Sequence, residues 1–302
     1  MRVAITGASG FIGRNFLASC PKDWHIDAFY RSAHDFPSFL RANCPNATPV
    51  QCDLSNEHEV RRLGVPDYDL CVYLAGNTDP QLSFADPLLD LKSNQLALVN
   101  FLSHIRADRL VYFSSGAVYD NLVGPVSPKS RLDPKLPYAI SKLASEQYIR
   151  FFKKKGNVGE YAIVRFFGAY GPYEPKRKIT TKLVLRFAIE KKNDFEIYGD
   201  GKNLIDFMYI SDVVKAIHLL IKKRKKDVTL DLAVHKPVSV ENTVKLAAKA
   251  LGVKNLKLTK KGVSHEAIGF KSSDKTIERM GFAPKVGFEQ GIRLLASHLS
   301  KV

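Results

Sequence analysis

Arg2-Val3-Ala4-Ile5-Thr6-Gly7-Ala8-Ser9-Gly10-Phe11-Ile12-Gly13-Arg14 reads as strand, loop and helix in immediate succession. The first five residues are an apolar run of strand length. Three glycines follow at G-x-x-G-x-x-G spacing, and an apolar helix pattern takes over at Phe11. Gly7 suits the tight turn out of the strand, Gly10 lets a pyrophosphate approach the backbone, and Gly13 lets the helix pack against the strand. The helix N-terminus then faces the anion. A glycine cluster alone is weak evidence, but this strand-loop-helix setting points to a dinucleotide site.

Working outward, apolar strand-like runs recur at residues 2–6, 26–30, 70–75, 109–113, 161–166 and 228–233, with amphipathic helical stretches between most of them. This alternation predicts right-handed βαβ crossovers and a doubly wound parallel sheet, an α/β fold of the Rossmann kind. A helix over about 138–153 has Pro137 ahead of it and Gly156 behind it, and Ser211-Asp212 and Ser239 read as N-caps of later helices. After residue 166 the regularity gives way to Gly168-Ala169-Tyr170-Gly171-Pro172 and Tyr198-Gly199-Asp200-Gly201. Irregular segments of this kind build substrate pockets beyond the strand ends. The expected division is 1–166 with 211–233 as an NAD(P)-binding domain, and 167–210 with 234–302 as a smaller α/β substrate-binding lobe.

At 302 residues the chain has room for about two domains. Its net charge of +16 is lopsided: residues 1–150 hold 15 basic and 15 acidic side chains, and residues 151–302 hold 31 and 15. The runs Lys153-Lys154-Lys155 and Lys222-Lys223-Arg224-Lys225-Lys226 fall at expected helix C-termini, where cations complement the helix dipole. Lys176-Arg177-Lys178 falls at no such end and leaves an anionic substrate in view. Cys20, Cys44, Cys52 and Cys71 are far apart and show no metal-ligand spacing, so reduced thiols and no metal are expected. A strand at residue 2 and the lack of an apolar run of about 18 residues lead to the expectation of a cytoplasmic protein.

The end of the second strand, Phe29-Tyr30-Arg31-Ser32, offers a guanidinium where an acidic residue would select NAD. Arg31 suits a 2′-phosphate, so NADP is favoured over NAD. Asp53-Leu54, after a third apolar stretch, reads either as an adenine contact or, for Asp53, as a helix cap. The chemistry points to Tyr138-Ala139-Ile140-Ser141-Lys142, which puts a phenol and an ammonium at i and i+4 on one helix face. With 12 tyrosines and 30 lysines, chance supplies about one such match. A second, Tyr198 with Lys202, does occur, but Gly199 and Gly201 make it a turn. The first match is distinguished by following Ser114-Ser115-Gly116-Ala117-Val118-Tyr119, which ends a strand beside the nucleotide loop. A tyrosine of ordinary pKa, about 10, is a poor base at neutral pH. A nearby Lys142 ammonium and an oxidised nicotinamide would favour its phenolate, with Ser115 hydrogen-bonded to the reacting oxygen.

In this order and spacing the residues resemble the extended short-chain dehydrogenase/reductase family, in its NAD(P)-dependent sugar epimerase/dehydratase branch. The resemblance covers Thr6 to Gly13, Asp53-Leu54, Leu74-Ala75-Gly76, Asn94, Ser114 to Tyr119, Tyr138 to Lys142 with Glu146, Arg165 to Pro172, Tyr198 to Asp212, and Ser273 to Gly291. It implies Ser115, Tyr138 and Lys142 as catalytic. It implies a cofactor held by Gly7, Ser9, Gly10, Phe11, Ile12, Gly13, Arg31, Ser32, Asp53, Leu54, Leu74, Ala75, Gly76 and Asn94, with Tyr138 and Lys142. On the substrate side it implies Lys178 beside Ser115 and Tyr138, and a homodimer formed through two helices of the main domain.

Two departures bear on the substrate. Gly168 stands where relatives usually carry an asparagine, and Ile205 where they carry an arginine; both missing groups normally contact a substrate diphosphate. Gly116-Ala117 stands where dehydratases of the branch place an Asp-Glu pair, which argues against elimination of water. Reversible hydride transfer at a sugar carbinol remains. The leading reading is a nucleotide-sugar epimerase. The alternative is an NADPH-dependent reductase of a 4-keto-6-deoxy nucleotide-sugar, and an oxidoreductase of a non-sugar carbonyl ranks below it. Cofactor-sensing or RNA-binding relatives without enzymatic activity form a further class; the charge suits them, but they have no use for Tyr138 with Lys142. Neither nucleic acid nor a membrane is the expected partner.

Overall fold

The computed structural model describes residues 1–262 and 269–301. Its central sheet runs, edge to edge, Val228–Leu232, Val158–Phe166, Arg106–Ser115, Leu70–Tyr73, Arg2–Thr6, His25–Tyr30 and Ala47–Gln51, with the short strand Asp67–Tyr68 beside Arg106–Ser115. The registers from Ala47–Gln51 across to Val158–Phe166 are all parallel. This is the doubly wound α/β fold expected from the alternation. The central strands are covered on both faces, which is why they read as unbroken apolar runs: Val3, Ala4 and Ile5 are fully buried, and so are Cys71 and Val72. Ala47–Gln51, the weak stretch before Asp53, is mostly exposed. It carries Pro49 at the sheet edge, where a missing N–H is tolerated.

Strand order reverses at Arg2–Thr6, which has His25–Tyr30 on one side and Leu70–Tyr73 on the other. Ligands of open α/β sheets bind outside the carboxyl ends of the strands at such a point. Tyr73 lies opposite Thr6, and Tyr112 lies opposite Tyr73, so three strands deliver their C-terminal ends side by side.

The chain divides into two compact units. The first comprises Met1–Asn121, Arg131–Phe166 and His218–Leu230; the second comprises Leu122–Ser130, Phe167–Ile217 and Asp231–Val302. These boundaries run differently from a division at residues 166, 210 and 233. The second unit takes in residues 122–130 because Val123–Val126 pairs in parallel with Gly269–Ser272. It takes in the start of the Ile210–Lys223 helix, where Asp212 is fully buried and accepts the Lys285 and Val286 N–H groups at 2.7 and 2.8 Å. Asp212 therefore lies inside the first turn and does not cap it. Ser239 does cap Val240–Ala250, accepting from Asn242 N at 3.2 Å.

Candidate active site

The nucleotide loop is braced from beneath. Thr6 Oγ1 accepts from Leu74 N and Ala75 N, both at 3.2 Å, which stitches the loop to the turn after the neighbouring strand. Gly7 has φ +62°, and a Cβ there would sit 2.7 Å from Ala75 N, so only glycine fits. Gly13 is buried against the carbonyls of Gly7 and Ala8. Arg14 is a brace not anticipated from sequence. Its Nε donates to Ser9 O at 2.9 Å, and its guanidinium binds both oxygens of Asp35 at 2.9 and 2.8 Å over the Phe39 ring. Nothing in the local pattern distinguishes it from an ordinary helix arginine, because Asp35 lies 21 residues away.

Arg31 and Ser32 are exposed past the end of His25–Tyr30. Arg31 lines a cavity of about 260 Å³ with Ser55, Asp86, Leu88, Leu89, Lys92 and Ser93. Lys92 is thus a second cation in this lining, beside the acidic Asp86. Of the two roles open to Asp53, the cap falls away. Asp53 Oδ1 accepts from Ser55 N and Oγ at 2.9 and 2.7 Å, while Asn56 caps the Glu57–Arg61 helix through His58 N at 3.1 Å.

The catalytic candidates converge. Arg106–Ser115 ends at Ser115, whose Oγ accepts from Ala117 N at 3.1 Å and whose hydroxyl meets the Tyr138 phenol. Tyr138 and Lys142 sit in the first two turns of Pro137–Lys155, a helix opened by proline and closed by Gly156 in the left-handed region, φ +91°. Both side chains are buried, at 7 % and 4 % exposure. Lys142 Nζ donates to Phe113 O at 3.0 Å and lies 6.0 Å from the Tyr138 ring centre. The electrostatics differ from the sequence expectation. In the chain alone, burial pushes the Tyr138 phenol up to about 12, opposed by the Ser115 hydrogen bond. Burial also pulls the Lys142 ammonium down to about 8. Burial is the largest influence on the phenol in the chain without its cofactor, and Asp90 adds to it. The rival Tyr198–Lys202 match is indeed a turn: Gly199 and Gly201 have φ +82° and +75°, and Lys202 faces Asp200 at 4.0 Å.

Beneath this layer, Glu146 ties the helix to the sheet. It accepts from Ser114 Oγ at 2.7 Å and from Arg165 Nε and a terminal guanidinium nitrogen at 3.0 and 2.8 Å, and Arg165 also reaches the Tyr119 hydroxyl at 3.1 Å. All four are buried. A bidentate pair with its remaining valences filled is the form in which buried charge is tolerable.

In the second unit, Lys178 is the exposed N-cap residue of Ile179–Val184, and its charge acts on the buried Glu174 carboxylate. Glu174 accepts from the Thr180 and Thr181 hydroxyls. A Cβ on Gly168 would approach Asp206 O to 3.1 Å, and Gly168 O accepts from Met208 N at 3.0 Å, so the chain is tightly apposed there. Ile205 belongs to a short ladder, paired with Val238.

Residues 3–232, which hold this serine, the tyrosine-lysine helix and the glycine loop, match the model of the NAD dependent epimerase/dehydratase family. The chain belongs to this family. A putative UDP-glucose 4-epimerase of Methanocaldococcus jannaschii is 25% identical over an alignment of 305 residues, covering 96% of each chain. The UDP-glucose 4-epimerase of Thermotoga maritima, solved with UDP-glucose, superposes with a TM-score of 0.86 at 20% identity, over 100% of this chain and 99% of that one. RMD from Pseudomonas aeruginosa, solved with NADPH, gives 0.83 at 22% identity with the same coverage. At these identities the two structures speak for the fold. Among the described residues no helix is long and apolar enough to cross a membrane.

Proposed function

We propose that this family member is a nucleotide-sugar epimerase that uses a nicotinamide dinucleotide, with Tyr138 exchanging the proton of the sugar carbinol. The observation that carries the reading is the meeting of Ser115, Tyr138 and Lys142 at the carboxyl edge of the sheet, next to the glycine loop. The residues fit the cofactor: Gly7 and Gly13 let the loop fold against neighbouring backbone where a Cβ has no room, and Asn94 Oδ1 is buried with no hydrogen-bond partner. Asp53, Leu54 and Leu74 to Gly76 would hold its adenosine side, with Tyr138 and Lys142 at the other end. When bound, the cofactor supplies the hydride acceptor and donor that the chain's own side chains lack.

Tyr138 takes and returns the carbinol proton at its phenolic oxygen, Ser115 orients that oxygen by hydrogen bond, and Lys142 together with the oxidised cofactor would supply the positive charge that offsets burial and draws the phenol toward its ionised form. The first compact unit would act as the cofactor-binding domain and the second, with Lys178, as the substrate side. Replacing Tyr138 by Phe should cut turnover of UDP-glucose or whichever nucleotide-sugar is converted by about 10²-fold or more while leaving cofactor affinity unchanged. Undiminished turnover in Tyr138→Phe overturns the assignment.

Net reduction by NADPH is a second reading, favoured by Arg31 and Lys92 lining one cavity, where Asp86 is the one acidic residue, and by the lack of an acidic residue at the strand end. A homodimer is also proposed. Phe84, Leu91, Ile140, Tyr148 and Phe151 are exposed at 75 %, 46 %, 49 %, 38 % and 53 % on helices of the first unit, an apolar face suited to a second copy. Light scattering on the purified chain tests it.

A further inference from the structure

One buried carboxylate in the catalytic layer is left without a cation. Asp90, on the Pro87–Leu91 helix, is fully buried. Its Oδ1 accepts from Asn94 Nδ2 at 2.8 Å and from Asn77 Nδ2 at 3.0 Å. Its Oδ2 has no hydrogen-bond partner, and among the described residues it forms no ion pair. A carboxylate taken from water in this way is costly unless a charge answers it nearby. The groups that face it are few. The Pro137–Lys155 helix presents Tyr138 and Lys142, and Arg106–Ser115 presents Tyr112. Glu146, which also acts on Lys142, is committed to Arg165. Among the described residues Lys142 is the one cation in the set, and one of its three protons is engaged on Phe113 O.

Asn94 adds a second link. With its amide nitrogen held by Asp90, its buried Oδ1 points at Gly76, where a Cβ would lie 2.3 Å from Oδ1 and 3.7 Å from Lys142 Nζ. Asp90, Asn94, the Gly76 turn and Lys142 are therefore one contiguous cluster.

We propose that Asp90 is a positioning residue of the reaction, the buried counter-charge that keeps Lys142 an ammonium and the anchor that aims Asn94 Oδ1 at the Gly76 turn. The inference rests on the roles given above to Tyr138 and Lys142. In a medium of low effective dielectric the Asp90 charge acts on Lys142 without direct contact, and it opposes the burial that pulls the ammonium down, ahead of Glu146. Its place in a helix turn 48 residues before Tyr138 gives no sequence signal, since an acidic residue in a first turn reads as ordinary dipole complementation.

Asp90→Asn keeps the size and the Oδ1 acceptor, removes the charge and puts a neutral amide NH2 in place of Oδ2. With [ε-¹³C]lysine-labelled cofactor-free protein, the Lys142 resonance is identified by its loss in Lys142→Arg and titrated in both backgrounds. The midpoint should fall by about one pH unit in Asp90→Asn, the low end of a close charge effect, and return in Asp90→Glu. The alkaline limb of kcat/KM should move the same way. An unmoved or raised midpoint overturns the proposal. Should Asp90→Asn fail to fold, the Asp90 carboxyl resonance is followed in native protein and in Lys142→Met; it must shift when the ammonium is removed, and an unshifted resonance overturns the proposal equally. The lysine titration needs no substrate, so it stands or falls separately from the epimerase reading.

Discussion

Replacing Lys142 by methionine tests the electrostatics of the site through stability. Lys142 is 4 % exposed, and burial lowers its ammonium from 10.5 to about 8. Between those two values the unfolded chain binds more protons than the folded one, so this residue makes the native state gain stability as pH rises from about 8 to 10.5. At 1.36 kcal/mol for each tenfold change in proton affinity, the whole effect is about 3 kcal/mol, present as a destabilisation below pH 8. Methionine fills the same space without the charge. It also forfeits the hydrogen bond to Phe113 O, worth about 1 kcal/mol. Lys142→Met should therefore be the more stable protein at pH 7, by about 2 kcal/mol, and lose that advantage by pH 10.5. Buried thiols such as Cys52, pushed up to about 11, titrate with the opposite sign, but they occur in both proteins and cancel in the difference. Urea unfolding followed by circular dichroism at pH 7, 8.5 and 10.5 measures it. A stability difference that stays constant with pH, or a native chain that is the more stable at pH 7 and the less stable at 10.5, refutes the reasoning.

Arg31→Asp removes the exposed guanidinium at the strand end and puts a carboxylate in a lining shared with Lys92. It should weaken NADP(H) at least about tenfold more than NAD(H), and equal affinities before and after, by fluorescence titration, would sink the cofactor preference. Lys178→Ala should weaken UDP, GDP, CDP or dTDP about tenfold, the loss of one charged hydrogen bond, with cofactor binding intact. Thermal shift with the four nucleoside diphosphates reads this directly. If none raises the melting point while the cofactor does, the substrate carries no diphosphate.

The main sheet was legible because its strands are covered on both faces, so that Val3 to Ile5 and Leu70 to Tyr73 leave apolar runs no loop would show. The glycine loop was legible because Gly7 and Gly13 answer steric demands that no other residue meets. Tyr138 and Lys142 were found because both lie in one helix, where four residues in sequence mean one face in space. What escaped depends on contacts remote in sequence. Arg14 meets Asp35 across 21 residues, and Asp90 meets the site only when its helix packs beside Pro137–Lys155. The elevated Tyr138 phenol escaped for a related reason: spacing shows that a lysine is near, but not that both groups are dry.

Gly168 carries a consequence for how this chain can change. Its Cβ position faces the Asp206 carbonyl at 3.1 Å, and Asp206 is itself pinned by its carboxylate to Val234 N and His235 N at 2.9 and 2.8 Å. Any side chain at 168 therefore makes the Asp206 carbonyl give by a few tenths of an ångström. Reversion at that single position would meet a steric penalty before any ligand contact could reward it. A change that loosens the chain near Asp206 lowers that penalty, so the two positions are coupled, and the order in which an engineer alters them bears on which side chains position 168 accepts.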